Sequence, residues 1–171
     1  EGDRLEAWHQ VAQVLERQGK FAEASKSYQK AIELDVNSPA WVYRHLGFAL
    51  QQQQRSEEAV EAYQKAISLQ PDDVDAYRLL GQAQGKLRDL DGTISSYQKA
   101  IKLSAEVPIW VYLNLGEALS QKGREEEAIL AYEKALELEP ENLGIQQLLE
   151  GVIARKEAHE GDRCQLAKQL Q

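Results

Sequence analysis

A chain of 171 residues with 43% hydrophobic content is large enough for one packed domain or a pair of small ones, and its net charge is −8. The acidic balance argues against nucleic acid as a partner, because sequence-independent binding relies on Lys and Arg displacing counterions from phosphates. No apolar run approaches the ~20 residues that cross a bilayer, so no membrane partner is expected.

The predicted elements follow in chain order. Over residues 5–39, Trp8, Val11, Ala12 and Leu15 recur at spacings of three, four and seven and share one helical face. Gly19 suits a tight turn into a second helix carrying Ala24 and Ser27-Tyr28-Gln29-Lys30-Ala31-Ile32-Glu33-Leu34. Over 40–73 the same face returns as Tyr43, Leu46, Gly47 and Leu50. The run Gln51 to Gln54 is expected at a helix end, facing solvent. A second helix follows with Ala59 and Ala62-Tyr63-Gln64-Lys65-Ala66-Ile67-Ser68-Leu69, stopped by Pro71.

Over 74–108 the first-helix set is Tyr77, Leu80, Gly81 and Gln84, and the second helix carries Thr93 and the motif around Tyr97. Gly81-Gln82-Ala83-Gln84-Gly85 lies inside the first helix, so it is no phosphate cradle. Over 109–142 come Tyr112, Leu115, Gly116 and Leu119, a turn at Gly123, and a second helix with Ala128 and Tyr132 that Pro140 ends. Glu125, Glu126 and Glu127 fall where that helix begins and suit the positive end of its dipole. Residues 143–157 read as one more first helix, with Leu149 and Ile153 on the buried stripe. Gln146 and Glu150 there replace the aromatic and the small residue. Gly161 is expected to interrupt it, and Asp162 to open a short final helix through Leu170.

The four tyrosines Tyr28, Tyr63, Tyr97 and Tyr132 step by 35, 34 and 35 residues. A shared period of this kind is the signature of a repeat array. The small residues Ala12, Gly47, Gly81 and Gly116 in the first helices, and Ala24, Ala59, Thr93 and Ala128 in the second, let paired backbones approach while the Tyr ring fills the space beside them. Residues 40–73 and 109–142 match at 18 of 34 positions, including Trp41/Trp110, so the array reads as a doubled two-hairpin unit with junctions at Pro39 and Pro108.

This order of aromatic, leucine, glycine, alanine, aromatic and proline, at a period near 34, resembles the tetratricopeptide-repeat family over about residues 5–142. The resemblance implies an all-α fold: a right-handed superhelical solenoid of antiparallel helix pairs, with four full repeats (about 5–39, 40–73, 74–108 and 109–142) and a C-terminal cap over 143–171, forming one domain across 1–171. A polar outer face on the cap is what a solenoid end requires.

The stripe opposite each buried first-helix face comprises Glu6, His9, Gln13; Trp41, Arg44, Phe48; Asp75, Arg78, Gln82; and Trp110, Leu113, Glu117. By resemblance this stripe, with His45 and Asn114 beside it, lines a concave peptide-binding groove. Trp41, Phe48, Trp110 and Leu113 are the apolar exceptions and so the candidate anchors; the alternative for Trp41 and Trp110 is to fold back onto the preceding repeat. Arg44 and Arg78 would add attraction for an acidic or C-terminal group. The Lys and Asn pattern with which some relatives clamp a chaperone's carboxylate tail is absent.

His9, His45 and His159 are too dispersed for a metal site, and Cys164 with His159 lacks a third, orienting member, so no catalytic residue, cofactor or metal is expected. The resemblance implies a non-catalytic protein-interaction scaffold that binds a peptide or helix. Two other roles stay open: a recruitment or oligomerisation domain of a larger enzyme of glycosyl-, sulfo- or methyltransferase type, and a homo-oligomer formed through the solenoid ends. Cys164 is the only cysteine, which suits a reducing, cytoplasmic setting. Methionine is absent and Glu1 opens the sequence, so a processed chain or a piece of a longer polypeptide is expected.

Overall fold

A computed structural model describes residues 2–35 and 37–169, with side chains over 6–35 and 37–161. Among the described residues every regular element is an α-helix: α1 (Gly2–Arg17), α2 (Phe21–Leu34), α3 (Ala40–Gln52), α4 (Ser56–Leu69), α5 (Val74–Lys86), α6 (Leu90–Leu103), α7 (Ile109–Gln121), α8 (Glu125–Leu138) and α9 (Leu143–Gln169). The chain divides into two compact units, Glu1–Ala105 and Glu106–Gln171. In the first, α1 pairs with α2, α3 with α4 and α5 with α6, while α2 packs on α3 and α4 on α5. In the second, α7 pairs with α8 and α9 packs on α8. Consecutive hairpins stacked in this way are the packing of a solenoid.

The hairpins close on the contact that the small residues foretold. A methyl group placed on Gly47 would lie 2.6 Å from the Tyr63 ring, and one on Gly81 or Gly116 would lie 2.8 Å from the ring of Tyr97 or Tyr132. Only glycine lets an aromatic edge rest on the helix backbone there. Tyr28, Tyr63, Tyr97 and Tyr132 are all buried.

The turns inside the hairpins share one left-handed residue. Gly19 and Gly123 adopt φ of 72° and 70°, as expected, and the matching positions in the middle hairpins are Gln54 and Arg88, at 63° and 59°. A side chain at this conformation costs on the order of 1 kcal/mol, which the flanking packing overcomes. The acidic run sits in the first turn of α8, where Glu127 pairs with Arg124 and Glu126 with Lys156 of α9.

Four expectations are corrected. Gln51 does not face solvent: it is 2% exposed, accepting a hydrogen bond from the Tyr63 hydroxyl at 3.0 Å and donating one to Gln82 Oε1 at 2.8 Å. Gln53 also turns inward, donating to the Phe21 carbonyl at 3.0 Å. On α1, Trp8 and Val11 are exposed although they belong to the apolar stripe. Finally, α9 runs without a break through Gly161, because one interior glycine costs only about 1 kcal/mol. Its buried stripe is Ile145 and Val152, whereas Ile153 is exposed. Leu170 and the side chain of Cys164 lie outside the described residues.

Candidate functional site

In the first unit the facing stripes of α1, α3 and α5 come together through side chains. The His9 ring meets Trp41 edge-on with centroids 5.0 Å apart, and Trp41 meets His45 in the same way at 5.9 Å. Glu16 joins α1 to α3, its carboxylate 3.0 Å from His45 Nδ1 and accepting a 2.9 Å bond from the Tyr28 hydroxyl. Burial, and then the Glu16 carboxylate, push the Tyr28 phenol well above its ordinary range, so it stays a donor.

Between α3 and α5 the charges pair closely. Arg44 Nε lies 3.0 Å from Asp73 Oδ2 and Arg44 Nη1 lies 3.6 Å from Asp75 Oδ2, while Arg78 Nη2 donates to Asp75 Oδ1 at 2.6 Å. The Asp73 contact lacks hydrogen-bond geometry, which leaves the buried Arg44 Nε–H without an acceptor. Asp73 also caps α5, accepting from the Ala76 amide at 2.9 Å. Both arginines therefore face acids of their own chain, and the attraction for an acidic ligand anticipated from Arg44 and Arg78 is largely offset.

These groups enclose a cleft of about 240 Å³ lined by Glu16, Arg44, His45, Phe48, Asp75, Arg78 and Leu79. Phe48 and Leu79 give it an apolar surface. Phe48 is half-buried and braced edge-on by Phe21 of α2, with centroids 5.9 Å apart. The cleft thus offers one apolar seat inside a ring of fixed, mutually paired charges.

The expected contact residues distribute unevenly. Arg44, His45, Phe48 and Arg78 line the cleft, and these four, Trp41, Gln82 and Gln13 are each half-buried. His9 does not line the surface: it is 4% exposed, its Nε2 has no hydrogen-bond partner, and burial holds its pKa below the ordinary value. Its place is behind Trp41, fixing that ring. Trp110, Leu113 and Asn114 are half-buried and Glu117 is exposed, all on α7 of the second unit. Sequence reasoning missed Glu16, Asp73 and Phe21 as members of the site. Glu16 stands 35 residues before Gln51, and both accept from the tyrosine twelve residues on, a repeat-register signal that finds it.

Tetratricopeptide-repeat models match residues 3–72, 46–108 and 109–142, which leaves only the α9 region and the extreme N-terminus uncovered. The chain belongs to the tetratricopeptide-repeat family. As a tetratricopeptide protein it is similar to solved structures of MamA, one with a TM-score of 0.85 at 24% identity, covering 94% of this chain and 87% of that one. A second MamA structure gives a TM-score of 0.78 at 25% identity over 85% of this chain and 84% of the other. YrrB, described as a tetratricopeptide protein with an unusual peptide-binding site, gives 0.80 at 23% identity over 88% of this chain and 76% of its own. No curated protein matches the sequence. Among the described residues no helix is long and apolar enough to cross a membrane, and no group of three or more His, Cys, Asp or Glu is placed to hold a metal.

Proposed function

We propose that this tetratricopeptide protein is a non-catalytic scaffold that takes an extended peptide or a helix on the face of its first helices. The observation that carries this reading is the cleft between α1, α3 and α5, where Phe48 and Leu79 form an apolar seat framed by polar groups already held in place. Such preorganisation lowers the ordering cost of binding. Gln13, Trp41, Arg44, His45, Phe48, Arg78 and Gln82 are the proposed contacts in the first unit. Trp110, Leu113, Asn114 and Glu117 are the proposed contacts of the second, with the four repeats and cap serving as one binding domain in a reducing, cytoplasmic compartment. Because Arg44 and Arg78 are paired with Asp73 and Asp75, the preferred ligand presents an apolar side chain flanked by uncharged residues.

The test is a peptide selected from a displayed random library against the whole chain. Phe48→Ala is expected to weaken its binding by about 1–2 kcal/mol, as truncating an anchor residue does, with helical content unchanged. Undiminished affinity, read by calorimetry, contradicts the seat.

A further inference from the structure

The carboxylate–imidazole contact of the cleft is particular to its place in the array. Glu16 Oε1 and Oε2 lie 3.1 and 3.0 Å from His45 Nδ1. In register with Ala12, Gly47, Gly81 and Gly116, the position of His45 holds Gln10 in α1, Leu79 in α5 and Asn114 in α7, and that of Glu16 holds Gln51, Gly85 and Ser120. The hairpin therefore packs without such a pair. A carboxylate only accepts, so Nδ1 carries the proton, and in the neutral ring Nε2 is left as an acceptor. The Tyr28 hydroxyl holds Glu16 in turn, and the His45 ring is stacked on Tyr28 and met edge-on by Trp41. Flipping the ring would give up the bond to Glu16. Among the described residues Nε2 meets no partner and is not enclosed, and the side chain is 32% exposed.

The other carboxylates lining the cleft are occupied. Glu16 takes Tyr28 and His45, and Asp75 takes Arg44 and Arg78. His45 Nε2 is the side-chain acceptor left open there. Phe48 follows three residues later, so the two side chains are neighbours on one helix face, with Cβ atoms about 5–6 Å apart. A ligand side chain seated on Phe48 and Leu79 brings the backbone on either side of it within reach of Nε2, because an extended chain advances only about 3.3 Å per residue. In an extended peptide the N–H groups beside that side chain are free to donate, whereas past the first turn of a helix they are spent on its own carbonyls. We propose that His45 Nε2 accepts a backbone N–H of an extended peptide, next to the apolar side chain held at Phe48 and Leu79, so that the Glu16–His45 pair selects extended chains over helices. This role rests on the cleft being the binding site and narrows its ligand to one backbone conformation.

The probe is a peptide selected from a displayed random library against the whole chain, resynthesised with its backbone amides replaced one at a time by esters, which removes the N–H with little change of shape. One replacement next to the apolar anchor is expected to weaken binding about tenfold in the parent chain and to cost nothing further in His45→Phe, which keeps a ring and lacks the acceptor. At about pH 8, where an imidazole is neutral, nitrogen NMR of the unliganded chain is expected to show His45 protonated at Nδ1. Its Nε2 resonance should move with the parent peptide and far less with that ester. Glu16→Gln is the second variant: its amide also donates, so the Nδ1–H form loses its advantage and the ester penalty shrinks. A His45 proton on Nε2 in the unliganded chain overturns the proposal. So do an ester penalty that His45→Phe leaves intact, a loss tied to a side-chain donor instead of a backbone N–H, and a peptide that binds as a helix. Where those results come with Phe48→Ala still weakening the peptide, the apolar seat stands and only the role of His45 falls. Binding that Phe48→Ala leaves untouched removes the seat and the role together.

Discussion

Replacing Tyr63 with Ala is expected to cost about 3–5 kcal/mol, the range for a large buried aromatic. The ring is wholly buried, lies against the bare backbone of Gly47, and carries a hydroxyl bonded to Gln51 in the interior. Its loss opens a cavity between α3 and α4 and strands Gln51 Oε1 at the same time. Domains have only about 5–15 kcal/mol in hand, so a circular-dichroism melt should show a large fall in midpoint or no cooperative transition. Tyr63→Phe separates the two contributions: it keeps the ring and is expected to cost only about 1–2 kcal/mol for the unpaired acceptor. An Ala variant that melts with the parent would place Tyr63 outside the core and break the repeat register.

Removing residues 143–171 is the second large effect. Ile145 and Val152 are buried, and α9 packs on α8. Two such side chains contribute about 3–6 kcal/mol by burial alone. The truncated chain exposes the apolar flank of α8 and is expected to dimerise or aggregate in sedimentation, with a lower melting point. A truncated chain that stays monomeric and equally stable would remove the capping role from α9. Loss of the Arg155 bond to Ser120, at 2.6 Å, adds a smaller term that Arg155→Ala isolates.

The elements most legible in the sequence were those that repetition overdetermines. Tyr63 and Gly47 were read as a close contact because four copies carry a small residue and an aromatic in the same register, and the structure places them so. The site was less legible, since polar partners are chosen across helices that sequence spacing does not relate. Gln51 looked like part of a solvated tract, yet each end of its amide finds a partner, one on α4 and one on α5, so burial costs it little. Asp73 carries no motif in the sequence, yet it caps α5 and pairs with Arg44. His9 fell on the open stripe by angle alone, but Trp41 closes over it. Periodicity likewise puts Trp8 and Val11 on one face, and does not tell that both are exposed among the described residues.

The most direct test of the scaffold reading is amide shift mapping of the whole chain with a peptide selected from a random displayed library. Binding at the cleft predicts that the largest changes fall on α1, α3 and α5, around Glu16, His45, Phe48 and Leu79, with α2, α4 and α6 little affected. Changes confined to the second helices, or to the Trp8 and Val11 side of α1, would contradict it.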